Sequence, residues 1–366
     1  MEIGDCNINF PAVSFSSIEL NCSLKKGIRT ALLFALLPVF SFGQGNLDAV
    51  FDTQDPLHIA LSMSIKEVRK SKEDSTYISD KLYYAIAPGV NDSMKIGLKA
   101  RGNFRLHECY FPPLWIKIKK SDSKGTLFEG HKKLKLVLPC NTAKASSDLI
   151  LKEYLCYKLY EKISPYSFKT RLVKIDLTER RPKKEKMFQV KGILVEDIDK
   201  TAQRNSAKTV EVERIDPRTL HDTNALRFDL FQFMISNTDW SKASQHNSKL
   251  IFRQSKYIAI PYDFDLSGVV DAPYSIVSMV GEEKLPIQSV RDRYYRGYCQ
   301  SVEITQYVRN EFLSKEKILM SLPDELKGEL SDREISELKD YLRQFFEILK
   351  KDDLFNSQIP EHCRSL

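Results

Sequence analysis

Three apolar runs between Phe228 and Ile260 each abut an acid or amide side chain, and this pattern constrains the fold more than any bulk property. Phe228 to Ile235 leads into Asn237-Thr238-Asp239-Trp240. Lys249 to Phe252 follows His246-Asn247, and Tyr257 to Ile260 leads into Pro261-Tyr262-Asp263-Phe264-Asp265. Carboxylates at the ends of buried elements are costly unless something neutralises them. A divalent cation held by one or two carboxylates together with phosphate oxygens does this. Asp, then Asn, then Asp at a strand end is also the order of catalytic base and metal ligands in a kinase active site.

The chain has 366 residues, enough for one large domain or two lobes around a cleft. A net charge of +7 is mild for this length, and the one dense basic run is Arg180 to Lys186. That run reads as a solvated loop between two strands. Nucleic-acid binding requires a basic face with reading elements, which the sequence lacks. Lys25-Lys26-Gly27, an apolar run from Ile28 to Phe42 and the small-residue site Ser41-Phe42-Gly43 describe a secretory signal peptide over residues 1–43. Cleavage near Gly43 implies export to the periplasm or cell surface. The run is shorter than the ~20 residues of a membrane span, and no other run is longer, so the mature chain has no transmembrane span. Of seven cysteines, five remain after cleavage, an odd number that implies no full disulfide framework. Cys109 and Cys140 sit at element ends and could pair in an oxidising compartment; Cys156 falls in an apolar helical pattern.

Short alternating runs at Leu57 to Ile65, Lys81 to Ile86, Met94 to Ala100, Leu114 to Ile118 and Leu134 to Leu138 predict strands. Asp148 to Ile163 carries a broad helical stripe. Lys169 to Leu177 and Phe188 to Val195 return to strand character. From Leu220 onward the helical period dominates, with a buried helix stopping at Asn237 and two short strands flanking Ser255. Further helices are expected near 305–321 and 332–350, the latter acidic at its start and basic at its end, as the helix dipole favours. The expectation is an α+β, bilobal protein-kinase-like fold. A β-rich N-terminal lobe, residues 44–195, contains one bridging helix near 148–163. A mainly helical C-terminal lobe, residues 196–366, carries the acidic site.

An ordered set of segments resembles the spore-coat CotH-type atypical kinases and related secreted proteins. It comprises Arg101-Gly102-Asn103-Phe104-Arg105, Leu114-Trp115-Ile116-Lys117-Ile118-Lys119, Leu127-Phe128-Glu129-Gly130 and Lys133-Leu134-Lys135-Leu136. It continues through Leu151-Lys152-Glu153-Tyr154-Leu155, Gly192-Ile193-Leu194-Val195-Glu196-Asp197, Asn237-x-Asp239, Asn247 and Pro261-x-Asp263-Phe264-Asp265. The resemblance covers roughly residues 95–270. The chain departs from the kinase pattern in two places. Seven residues separate Asp239 from Asn247, where kinases have about four, and a short insertion, Lys242 to Gln245, accounts for the difference. No G-x-G-x-x-G loop is present, so phosphate contacts fall to Arg101, Arg105 and backbone groups.

The resemblance implies these roles. Asp263 and Asp265, on one face of a strand end, hold Mg²⁺ or Mn²⁺ with Asn247. Asp239 positions or deprotonates the attacking hydroxyl. Lys117 or Lys119 reaches the phosphates of ATP and pairs with Glu153. Arg101 and Arg105 contact the nucleotide, and Glu196 marks the adenine-binding connector. The expected activity is metal-dependent phosphoryl transfer from a nucleotide to a protein or small-molecule hydroxyl. It requires Asp239, Asp263 and a lysine, Lys117 or Lys119, to converge on one cleft. The competing reading is an inactive kinase-fold envelope protein that binds a ligand or partner. No H-x-x-x-H pair supports a zinc hydrolase, and no G-x-S-x-G elbow supports a serine hydrolase. Two aspartates two apart on a strand are poorly placed to flank a sugar bond.

Overall fold

A computed structural model describes residues 48–280 and 283–365. The segment read as a signal peptide lies outside the described residues. Strands β1 (Leu57–Met63), β2 (Ile78–Ala87), β3 (Val90–Ala100), β4 (Leu114–Lys117), β5 (Lys133–Val137), β6 (Thr170–Arg180) and β7 (Glu185–Val195) close into a barrel in the order β1-β2-β3-β4-β5-β7-β6. All pairs are antiparallel except β1 with β6, where Leu57 to Met63 lie parallel to Val173 to Glu179. The alternation that marks these strands puts Leu61, Ile96, Leu98, Ile116, Leu136 and Ile175 inside the barrel. Gly192 is needed where strands crowd, since a Cβ there would lie 2.8 Å from the Val137 carbonyl oxygen.

Helices are α1 (Ile65–Glu73), α2 (Phe104–Glu108), α3 (Lys120–Ser123), α4 (Lys144–Ile163), α5 (Ile198–Arg204), α6 (Asp222–Met234), α7 (Val302–Ser314), α8 (Glu316–Ser321), α9 (Asp332–Lys350) and α10 (Asp352–Gln358). The second core joins α4, α6, α7 and α9 to the outer side of the barrel through Val137, Ile193 and Val195. A sheet of β8 (Lys208–Thr209), β9 (Ser248–Arg253) and β10 (Lys256–Pro261) and a small hairpin of β11 (Met279–Val280) and β12 (Glu283–Lys284) complete the order. Ser331 starts α9 with a capping box, its hydroxyl accepting from the Glu334 amide while the Glu334 side chain accepts from the Ser331 amide.

The expected bilobal kinase-like fold is not what the chain adopts. Its N-terminal strands form a closed barrel instead of the β-rich lobe of a kinase, because β6 returns to pair with β1. The described residues form one compact unit. A three-stranded sheet also lies within the half expected to be mainly helical. No helix among the described residues is long and apolar enough to cross a membrane. The basic run does form the β6–β7 turn, with Lys183 and Lys184 exposed. Cys109 pairs with Cys140, and Cys299 with Cys363, leaving Cys156 buried as a thiol. The odd cysteine count thus hides two disulfides and one core residue.

Candidate functional site

The β9–β10 hairpin brings two of the sequence motifs together. Ser248 pairs with Pro261, and beyond it the Tyr262 amide donates to the Asn247 carbonyl at 3.2 Å. Asn247 and Asp263 therefore emerge side by side at one end of the sheet. Both adopt left-handed backbone, φ +46° and +64°, a conformation that Asn and Asp tolerate better than most residues. Asn247 donates through Nδ2 to the carbonyl and to Oδ2 of Asp239, each at 2.8 Å. His246 Nε2 lies 2.7 Å from Asp239 Oδ1.

The Asp239 loop is held from behind. Arg296 donates to the carbonyls of Thr238 and Trp240, on either side of Asp239. Trp240 Nε1 donates to the Asn237 carbonyl at 2.9 Å. Lys242 folds back against α6, where its ammonium is fully buried and donates to both carboxylate oxygens of Asp229 at 2.6 Å. The insertion between Asp239 and Asn247 is thus an anchor that pins the loop to α6.

Facing these groups is the Arg101–Arg105 segment, organised by α1. Arg69 donates to the carbonyls of Leu106, Cys109 and Tyr110, and Lys72 to the Gly102 carbonyl and Asn103 side chain. The disulfide to Cys140 ties the same segment to the chain after β5. Arg101 then pairs with Asp263 at 3.3 Å. Arg105 lies 3.6 Å from Glu153 and 3.9 Å from Asp265. Tyr274 donates its hydroxyl to Asp265 at 3.3 Å.

These contacts set the charges. Burial works to raise Asp263, but Arg101, Arg105 and Lys135 together hold it below the ordinary carboxylate range. For Asp265 burial prevails over Arg105, and repulsion from Asp263 adds to it, pushing the group up to about 6. Glu153 is pushed up to about 8, by burial against the opposing Arg105 and with the charges of Asp265 and Asp263 adding to the rise. Burial thus favours the protonated form of Glu153 against the pull of Arg105.

Among the ten residues singled out from sequence, Arg101, Arg105, Glu153, Asp239, Asn247, Asp263 and Asp265 come together. Lys117 and Lys119 do not. Both are exposed, and the Lys117 ammonium sits 5.1 Å above the Tyr77 ring. The requirement that one of them face Asp263 is not met, so the kinase reading in the form that used Lys117 or Lys119 with Glu153 fails; Glu153 lies instead 3.6 Å from Arg105. Glu196 is also outside the site. It is buried and accepts from Arg204 and Thr201 at 2.8 Å and from the Lys169 amide at 3.1 Å.

The lysine that the structure does place here is Lys135 on β5. Only 3% of it is exposed, and its ammonium has no hydrogen-bond partner. It lies 3.6 Å from the centroid of the Tyr262 ring, next to Asp263 in sequence. Burial, then the nearby Arg101 charge, push it well below the usual lysine range. Sequence alone gave one signal for it: Lys133-Leu134-Lys135 alternates in the same way as Lys117-Ile118-Lys119.

Among the described residues no group of three or more His, Cys, Asp and Glu side chains is arranged to hold a metal unaided. Mg²⁺ needs only one or two carboxylates when phosphate oxygens and waters supply the rest. Asp263, about a quarter exposed, and Asp265 fit that requirement. Compared with family models, curated proteins and solved structures, the chain matches none.

Proposed function

We propose that this site performs metal-dependent phosphoryl transfer from a nucleotide, ATP in the first instance, to a protein or small-molecule hydroxyl. The observation that carries the reading is the convergence of Asp239, Asp263 and a buried, unpartnered lysine, Lys135, around one site. The lysine is not one of the two that the resemblance named, and the reading does not depend on a kinase-like fold. In the transfer, the terminal phosphoanhydride bond breaks and a P–O bond to the acceptor forms. The bridging oxygen leaves with the shortened nucleotide, and the hydroxyl proton passes toward Asp239. Asn247 and His246 fix that carboxylate in one orientation, as positioning of a base requires. Asp263 and Asp265 would hold Mg²⁺ or Mn²⁺, which when bound neutralises phosphate charge. Arg101 and Arg105 would supply positive charge opposite the transferred group, and a bound phosphate would favour the charged form of Lys135 against its burial.

Export to the periplasm or cell surface belongs to the same proposal, and two disulfides support an oxidising compartment. One observation favours ligand binding without transfer. Both Asp239 oxygens are hydrogen-bonded and Asp263 is paired with Arg101, so the acidic groups are already satisfied by their neighbours. Incubation with ATP labelled on its terminal phosphate, with Mg²⁺ or Mn²⁺, separates the two. Transfer to the protein or to water that falls at least about a hundredfold in Asp239→Asn, the lower range for a lost general base, supports the proposal. Tight ATP binding without turnover supports the binding reading.

A further inference from the structure

Three cations gather around one indole beside this site, and a fourth lies close to two of them. Trp115 on β4 pairs across the strands with Lys135. The Lys133 ammonium lies 4.6 Å from the Trp115 ring, the Arg101 guanidinium 5.5 Å and the Lys135 ammonium 5.5 Å. Lys249 on β9 is the fourth. It is half-buried and pushed down by burial and then by Lys133 and Arg101. Two carboxylates answer them: Asp263 pairs with Arg101, and Asp197 with Lys133 at 3.5 Å.

Like charges crowded in this way repel one another, and such a cluster is relieved when an anion of matching length enters it. A single phosphate can meet one or two of the four cations, whereas a chain of phosphates can meet all of them. The indole meanwhile is already engaged by three cations, an arrangement that uses its π-face to hold charge and leaves it poorly suited to stacking a base. The Lys135 ammonium, buried and without a hydrogen-bond partner, lies between the Trp115 ring of this cluster and the Tyr262 ring.

We propose that the donor is recognised by its polyphosphate chain, seated among Arg101, Lys133, Lys135 and Lys249 beside Trp115, and not by its base. The proposal rests on the phosphoryl-transfer reading of the same site and narrows its donor class. Nucleoside triphosphates and inorganic triphosphate share the chemistry that the cluster takes. With inorganic triphosphate the terminal P–O–P bond breaks, the acceptor oxygen gains the phosphoryl group, pyrophosphate leaves, and the hydroxyl proton goes to Asp239.

The test is calorimetric titration of the chain, with Mg²⁺, against ATP, GTP, inorganic triphosphate and orthophosphate. Intrinsic fluorescence is compared between wild type and Trp115→Phe. The expected result is that ATP, GTP and triphosphate bind within about threefold of one another, under ~1 kcal/mol apart, and that orthophosphate binds far more weakly. Lys133→Ala and Lys249→Ala each weaken all three about tenfold or more, the scale of a lost charged hydrogen bond. Lys249→Arg retains most of the affinity, and Lys183→Ala, in the exposed β6–β7 turn, changes nothing. A ligand-dependent fluorescence change vanishes in Trp115→Phe. ATP binding more than about thirtyfold tighter than triphosphate, or wild-type affinity in both lysine variants, overturns the proposal. If ATP is bound and transferred while triphosphate is ignored, the donor proposal fails and the transfer reading stands. If triphosphate binds through the lysines but no donor is turned over, the transfer reading fails and the polyphosphate seat stands.

Discussion

Asn247 holds Asp239 by two hydrogen bonds from a single side-chain nitrogen, one to the main-chain carbonyl and one to the carboxylate, each 2.8 Å long. The pair spans the loop that Lys242 anchors, so one amide fixes both the path of the loop and the direction of its acid.

Replacing that amide tests the role of the loop. Asn247→Ala removes both bonds at a left-handed position, where a residue other than Gly, Asn or Asp costs about 1–2 kcal/mol. Unfolding should shift by only a few degrees, while transfer falls about a hundredfold as Asp239 loses its orientation. Equal losses in stability and turnover would instead mark Asn247 as purely structural.

Lys242 and Asp229 form a fully buried ion pair. Removing one partner leaves a buried charge unpaired, so Lys242→Met should destabilise by about 3–5 kcal/mol. Substituting both, Lys242→Met with Asp229→Leu, should recover most of that loss, since an apolar pair of similar size is often neutral or better. Denaturant unfolding of both single variants and the double variant gives the answer. A double variant no more stable than the worse single one contradicts it.

Glu153 makes stability depend on pH. Its folded value, about 8, lies above its ordinary 4.5. Between these values the native state binds more protons than the unfolded state, so this group's contribution to stability falls as pH rises from about 4.5 to 8. Asp265, raised from 3.8 to about 6, acts in the same direction below pH 6. Glu153→Gln keeps the shape and removes the titration. Its melting temperature should exceed that of wild type increasingly from pH 5 to pH 8, and a constant difference across that range would exclude Glu153 as the source.

Local pattern was enough to read most elements. The stripe over Asp148 to Ile163 became the last four turns of α4, and the acidic start and basic end of α9 lie where the dipole places them. The acidic site was legible for the same reason: apolar runs that must be buried left Asp239, Asn247 and Asp263 at their ends. Strand partners were not legible. Nothing near Leu57 announces that it pairs with Val173, and that long-range parallel pairing closes the expected β-rich lobe into a barrel. Lys135 and Lys117 look alike in sequence, each alternating with buried residues. Only the arrival of Tyr262 and Phe168 from distant segments covers one of them and leaves the other in solvent. Glu196 was misread because its partners, Lys169 and Arg204, lie on either side of it in the chain and converge only in the fold. Helix α1 escaped notice because Ile65 and Val68 are its only apolar residues, too few to mark a helical stripe.

Thermal unfolding with ATP, alone and with Mg²⁺ or Mn²⁺, compared between wild type and Asp263→Asn, tests the central claim most directly. A ligand at 100 times its dissociation constant adds about 2.7 kcal/mol to the folded state, a rise of about 5 °C for a chain of this size. The account predicts that rise with metal and ATP together, a smaller one with ATP alone, and little or none in Asp263→Asn. Equal shifts in both proteins, or none in either with any nucleotide or triphosphate, would contradict it.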